Sequence, residues 1–167
     1  MTTVLLLAGG ESSRMGTDKA QMHGGVQRLQ NVAKSCGIKQ IIVLCGEQER
    51  RSMFQGKVWS DPPFCNNLSE VIQWAFNEVD GPIQMICCDA FQLEVDGLQQ
   101  LLLSEGAVPL DEQKIRQPLL ANCPEGFELG DSDGSVASLF SHLPSLDMGS
   151  KANQMKNFNL PSDDSFQ

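Results

Sequence analysis

The sequence predicts an α/β fold in three layers, a mostly parallel central sheet with helices on both faces. Three observations carry that expectation. The runs Val4–Leu7, Ile41–Cys45 and Ile83–Cys88 are continuously apolar rather than alternating, as strands buried on both faces are. The segments between them repeat their apolar residues at helical spacing. Strands and helices alternate along the chain, which is how parallel strands are joined.

Each element has a local reason. Val26–Cys36 puts Val26, Leu29, Val32, Ala33 and Cys36 on one helical face, and Gly37 is placed to end it. Glu47–Phe54 reads as a short charged helix. Asn67-Leu68-Ser69-Glu70 has a capping residue followed three places on by Glu, which opens a helix through Val71–Phe76. Gly81-Pro82 closes that helix before the strand at 83. Further helices are expected at Val95–Ser104 and Ser135–Leu143, the second stopped by Pro144. Gly126–Gly134 reads as a polar loop and Pro161–Gln167 as a frayed tail. No internal repeat or long low-complexity segment is evident, so 1–167 reads as a single domain.

The net charge is −9, with twelve Lys and Arg against twenty-one Asp and Glu. That balance argues against gripping nucleic acid, which needs a basic face. Small phosphorylated ligands remain open, because backbone N–H groups, a few cations and a metal ion can hold them. No apolar run approaches the ~20 residues of a membrane span. The first apolar stretch has no Lys or Arg before it, so a buried strand is expected there rather than a signal peptide. Six cysteines form no C-x-x-C pair, and Cys45, Cys87 and Cys88 sit inside apolar runs. A reduced, cytoplasmic protein is expected.

Ligands of open parallel sheets bind beyond the carboxyl ends of the strands, which directs attention to the residues after Leu7, Cys45 and Cys88. Leu7 is followed by Ala8-Gly9-Gly10-Glu11-Ser12-Ser13-Arg14-Met15-Gly16-Thr17-Asp18-Lys19. Small residues let backbone approach a ligand closely, and their N–H groups can form an anion nest. Neither the G-x-x-x-x-G-K-[ST] loop nor a G-x-G-x-x-G fingerprint is present. An ordinary glycine turn with solvated charges and a phosphate site both stay open. The glycines directly behind a strand, with Arg14 and Lys19 after them, favour the phosphate site. Asp89 either caps the turn after Cys88 or meets a metal ion there.

The stretch Leu7-Ala8-Gly9-Gly10-x-Ser12-Ser13-Arg14-Met15-Gly16-x-Asp18-Lys19 resembles the signature of Rossmann-like nucleotidyltransferases. Its Ser-Arg-Met-Gly and Asp-Lys are similar to the molybdenum cofactor guanylyltransferase family (molybdopterin-guanine dinucleotide biosynthesis protein A). Shorter likenesses occur in order along the chain: Asp61 before Pro62-Pro63, Cys88-Asp89, Arg116-Gln117-Pro118 as a strand start, and Asn157-Phe158-Asn159-Leu160-Pro161. The resemblance implies transfer of GMP from Mg²⁺-GTP to molybdopterin, or molybdenum cofactor, with release of pyrophosphate. Leu7, Ala8, Gly9, Gly10, Lys19, Asp61 and Asp89 would then bind the nucleotide, Asp61 through the base. Arg14, Lys19 and Asp89 would carry the catalysis, with Asp89 holding Mg²⁺. Asn157 and Asn159 would lie on the acceptor side. Other cofactor-biosynthesis proteins are the implied partners, with no nucleic acid or membrane among them.

The chain also departs from that family. Gly24-Gly25-Val26-Gln27-Arg28-Leu29 lacks the usual Gly-Lys-Pro-Leu, Cys65-Asn66-Asn67-Leu68-Ser69 replaces Gly-Pro-Leu-Ala-Gly, and Phe91 stands where Pro usually follows Cys-Asp-x. Three functions are therefore carried forward. They are a guanylyltransferase, a related enzyme using CTP or a sugar-phosphate acceptor, and a nucleotide-binding relative without turnover. His23 and His142 are expected at the surface, Trp59 near the pocket at a strand end, Trp74 packed on its helix, and Asp131-Ser132-Asp133 in a solvated loop.

Overall fold

The computed structural model describes residues 1–9 and 19–158, with Lys19, Met22 and His23 described by their backbone alone. Its main sheet has five strands in the order β3-β2-β1-β4-β6. These are β1 (Thr3–Leu7), β2 (Gln40–Gly46), β3 (Lys57–Ser60), β4 (Ile83–Cys87) and β6 (Asn122–Cys123). β1 runs parallel to β2 and β4, β2 is parallel to β3, and only β6 is antiparallel. A two-stranded sheet pairs β5 (Val108–Pro109) with β7 (Ser145–Leu146).

Continuous apolarity has the predicted cause: every residue of β1 and β4 is buried. The helices α1 (Gly25–Ser35), α2 (Leu68–Glu78) and α3 (Val95–Leu102) lie close to where periodicity puts them. Gly37 ends α1 at φ 86°, where Ile38 N–H bonds Ala33 O (3.2 Å) and Gly37 N–H bonds Lys34 O (3.0 Å). That paired 6→1 and 5→2 closure needs a left-handed residue, which glycine adopts without strain. At the start of α2, Glu70 N–H bonds Asn67 Oδ1 (2.9 Å), and the Glu70 carboxylate accepts from Asn66 N–H (2.9 Å). The capping box forms, its return bond displaced by one residue.

Right-handed crossovers place α1 and α3 together on one face, and α2 with α4 (Val136–Leu139) on the other. The short charged helix expected at Glu47–Phe54 forms as a 3₁₀ helix over Gln48–Met53. The helix expected over Ser135–Leu143 keeps only α4, because its carbonyls find partners elsewhere. Leu139 O accepts from Gly130 N–H (2.9 Å) and Phe140 O from Arg116 Nη2 (3.0 Å).

Chain order reverses direction beside β1: it moves outward to β2 and β3, then returns to β4 on the opposite side. The carboxyl ends of β1 and β4 therefore flank a switch point, where a crevice opens. Among the described residues no helix is long and apolar enough to cross a membrane.

Candidate functional site

A cleft of about 420 Å³ lies at that switch point. Leu7 and Gly9 reach it from β1, Leu44 from β2, Asp61 from the end of β3, and Cys87, Cys88 and Asp89 from β4. Cys65, Asn66, Asn67, Leu68 and Val71 form the wall at the start of α2, and Leu119 closes one side. Of the residues named from sequence, the cleft gathers Leu7, Gly9, Asp61 and Asp89, while Ala8 is buried behind it. Gly10, Arg14 and Asn159 fall outside the described residues, as does the Lys19 side chain. The Lys19 backbone opens a 3₁₀ turn, Lys19–Gly24.

The β1 side is built by close backbone approach. A Cβ on Gly9 would sit 2.9 Å from Gly46 Cα and 3.0 Å from Gly46 N, so glycine is required by space. Gly46 stands beside a register shift between β2 and β3 and has φ 82°, and its carbonyl accepts from Asp61 N–H (2.7 Å). Arg50 ties the two strand ends together, donating from Nη2 to Ala8 O (2.6 Å) and from Nε to Cys45 O (2.8 Å). Nothing local in the sequence marks Arg50 for this task. Its acceptors lie on two other elements.

Asp61 is exposed at the rim, yet partial burial against the cleft, and secondarily the Glu47 charge, raise its carboxyl above the usual range. Across the cleft, Asp89 is buried, with Oδ1 accepting no hydrogen bond, while the neighbouring Cys87 thiol bonds the carboxylate. Burial first, and then the Asp89 charge, push the Cys87 thiol well up. Cys65 is raised by burial, then by Glu70 and Asp61. These shifts keep both thiols protonated, which disfavours covalent thiolate chemistry in the cleft. Among the described residues no three His, Cys, Asp or Glu side chains gather as a metal cage. The buried Asp89 carboxylate, an oxygen donor lining the cleft, fits Mg²⁺, which binds through few carboxylates together with substrate phosphates.

Asn157 does not line the cleft, although its Oδ1 is buried without a hydrogen bond. It precedes Phe158, whose ring lies 5.3 Å from that of Phe91, two residues beyond Asp89. Arg116 and Gln117 brace the smaller sheet instead: Arg116 bonds Ser145 Oγ (2.8 Å) and Gln117 bonds Asp111 (2.9 Å). Pro118 opens a 3₁₀ turn rather than a strand. Trp59 packs on Trp74, ring centres 5.4 Å apart, and lines a separate depression instead of the cleft. His142 is exposed, and Asp133 is held low by hydrogen bonds from Ser135 in an exposed loop. The α2 wall has a single trace in the sequence, the stretch that replaces Gly-Pro-Leu-Ala-Gly.

Residues 4–142 match the family of the MobA-like NTP transferase domain. No curated protein matches the chain. Its fold is similar to molybdopterin-guanine dinucleotide biosynthesis protein A from Archaeoglobus fulgidus, with a TM-score of 0.70 and 17% identity over 96% of this chain and 94% of that one. A nucleotidyl transferase from Methanothermobacter thermautotrophicus gives a TM-score of 0.68 at 16% identity, covering 99% and 95%. The 4-diphosphocytidyl-2C-methyl-D-erythritol synthase from Anaerococcus prevotii gives 0.55 at 9%, covering 99% and 95%. These likenesses establish the α/β fold with its mostly parallel sheet.

Proposed function

The chain belongs to the MobA-like NTP transferase domain family, and within it we propose that the chain transfers GMP from Mg²⁺-GTP to molybdopterin. The observation that carries this reading is the meeting of Gly9, Asp61 and Asp89 on one cleft. A phosphate oxygen of molybdopterin attacks the α-phosphorus of GTP. The bond from that phosphorus to the α,β-bridging oxygen breaks, and pyrophosphate leaves. Such a transfer asks for positioning and charge stabilisation rather than covalent help from the protein.

Backbone N–H groups at Gly9 and Gly10 bind phosphate oxygens, and Lys19 with Arg14 offsets the charge of departing pyrophosphate. Ionised Asp61 accepts from the adjacent N1–H and N2–H donors of guanine. Cytosine offers only its N4–H₂ there, beside an acceptor that the carboxylate repels. Asp89 is the protein's metal ligand. A Mg²⁺ ion bound there supplies charge neutralisation at the α-phosphate. Asn157 and Asn159 serve the acceptor side. The six free thiols suit a reducing, cytoplasmic setting.

One observation favours a second reading, with CTP or a sugar-phosphate acceptor. The cleft wall is Cys65-Asn66-Asn67-Leu68, where the resembled family has Gly-Pro-Leu-Ala-Gly. Calorimetric titration with GTP, CTP, ATP and UTP in Mg²⁺, followed by pyrophosphate release with molybdopterin, separates the readings. GTP binding with molybdopterin-dependent release is expected. CTP preference or sugar-phosphate turnover would transfer support to the second reading, and nucleotide binding without release would remove catalysis.

A further inference from the structure

Arg28 lies in the first turn of α1, far in sequence from Asp89, and its guanidinium reaches the turn just beyond that carboxylate. Nη1 donates to Leu93 O at 2.6 Å, and Nη2 to Phe91 O at 3.0 Å and Ala90 O at 3.1 Å. A cation in the first turn of a helix is unfavourable to the helix dipole, so helix formation does not account for this placement. Three carbonyls directed at one point also repel one another unless a cation meets them. The ion pair with Glu94 is long, 4.0 Å, and that carboxylate is largely exposed, so the carbonyls are the main partners.

We infer that Arg28 is a positioning residue for Asp89, fixing the turn that aims its carboxylate at the metal-phosphate side of the cleft. The inference rests on the proposed role of Asp89 as metal ligand. Asp89 is bracketed by Cys88 N–H bonded to Leu7 O (2.8 Å) and Ala90 N–H bonded to Cys87 O (3.1 Å). The next turn closes through Leu93 N–H to Ala90 O (3.2 Å), so Ala90 O is shared with the guanidinium. No proline stiffens this segment: Phe91 occupies the position. Arg28 supplies the restraint from outside the loop. Through Phe91 the clamp extends to Phe158, whose ring carries Lys156 Nζ at 4.8 Å, and so to the segment holding Asn157. Lysine keeps the charge but lacks the planar fork that serves several carbonyls at once.

The test is calorimetric binding of GTP with Mn²⁺ and with EDTA, in wild type, Asp89→Asn, Arg28→Lys and Arg28→Gln. Asp89→Asn should lose the Mn²⁺-dependent part of the affinity. Each Arg28 variant should weaken that part about tenfold or more, the usual consequence of losing a partner that orients a ligand. Affinity in EDTA should stay within about twofold of wild type for both Arg28 variants. Wild-type Mn²⁺ dependence in both Arg28 variants, beside its loss in Asp89→Asn, would overturn the role of Arg28 alone. Unchanged Mn²⁺ dependence in Asp89→Asn would overturn the Asp89 reading and the inference with it. An equal loss with Mn²⁺ and with EDTA would reduce Arg28 to a structural brace and overturn the inference. Should the Arg28 variants not fold, hydrogen exchange in wild type decides. Amide protection at Leu93, whose N–H bonds the Ala90 carbonyl shared with Arg28, should be high in the GTP complex with or without Mn²⁺, and rapid exchange there in EDTA would overturn the clamp.

Discussion

The two sides of the cleft are held by different means. On the β1 side close backbone approach comes first, with Arg50 bonding across the strand ends: Gly9 and Gly46 bring two backbones within 3 Å of where a Cβ would stand. On the β4 side the geometry depends on a long side chain, with Arg28 spanning from α1 to three carbonyls beyond Asp89. The first device leaves a mark in the sequence as glycine, although the two backbones belong to different strands. The second leaves none. A site can thus be recognised from one half of its construction while the other half stays invisible.

After the loss of transfer expected of Asp89→Asn, the largest effect falls on the charge of the departing pyrophosphate. Lys19→Ala should cut turnover ~10²–10³-fold, the usual loss for one transition-state donor. A variant with wild-type turnover would remove Lys19 from the transfer step. Next comes the base. Asp61→Asn should weaken GTP ~10–100-fold, as the loss of a hydrogen bond to a charged acceptor does, while CTP changes little. Its sign on stability is opposite. The folded-state pKa of Asp61 is raised, so the ionised carboxylate is disfavoured by folding, and the neutral Asn should leave Tm equal or higher at pH 7. GTP affinity should fall as pH drops through that raised pKa, and a flat pH profile below neutrality would contradict the role.

Smaller effects probe the supports. Gly9→Ala forces a Cβ onto the Gly46 backbone, which should cost about 1–3 kcal/mol of stability and weaken nucleotide binding severalfold. Denaturant melts and the same titrations check both, and a neutral Gly9→Ala would mean that the strand ends separate freely. On the other side, a Cβ at Gly97 would meet Gln154 Oε1 at 2.0 Å. Gln154 would have to leave its bonds to Glu94 N–H (2.9 Å) and Asp96 (2.8 Å), so Gly97→Ala should lower stability by about 1–3 kcal/mol. Because Gln154 anchors the segment before Asn157, acceptor affinity should suffer more than nucleotide affinity.

Much of the fold is legible because its signals are short-range. Three continuously apolar strands, the Asn67 cap and Gly37 each act within a few residues, and each appears in place. β3 gives no such signal, since only Val58 in it is buried, as befits an edge strand. The two-residue strands β5, β6 and β7 are too brief to show any periodicity. β6 is fixed instead by a buried pair: Asn122 Nδ2 donates to Gln84 Oε1 at 2.9 Å. The fourth helix is shorter than its apolar spacing suggests, because that spacing gives no hint that Gly130 and Arg116 claim its carbonyls. For the site, Gly9 and Asp89 are readable from position behind strands and from resemblance, and Asp61 from resemblance alone. Arg28 and Arg50 are not, since their partners lie 62–65 and 5–42 residues away.

The central claim is nucleotidyl transfer at this one cleft, with Asp89 as the metal ligand. Incubating the protein with Mg²⁺, molybdopterin and GTP labelled with ³²P at the α or the γ position tests it most directly, in wild type and in Asp89→Asn. The α label should appear in the molybdopterin product and the γ label in pyrophosphate, and Asp89→Asn should abolish both. Transfer of the γ label to the acceptor, or full transfer by Asp89→Asn, would contradict it.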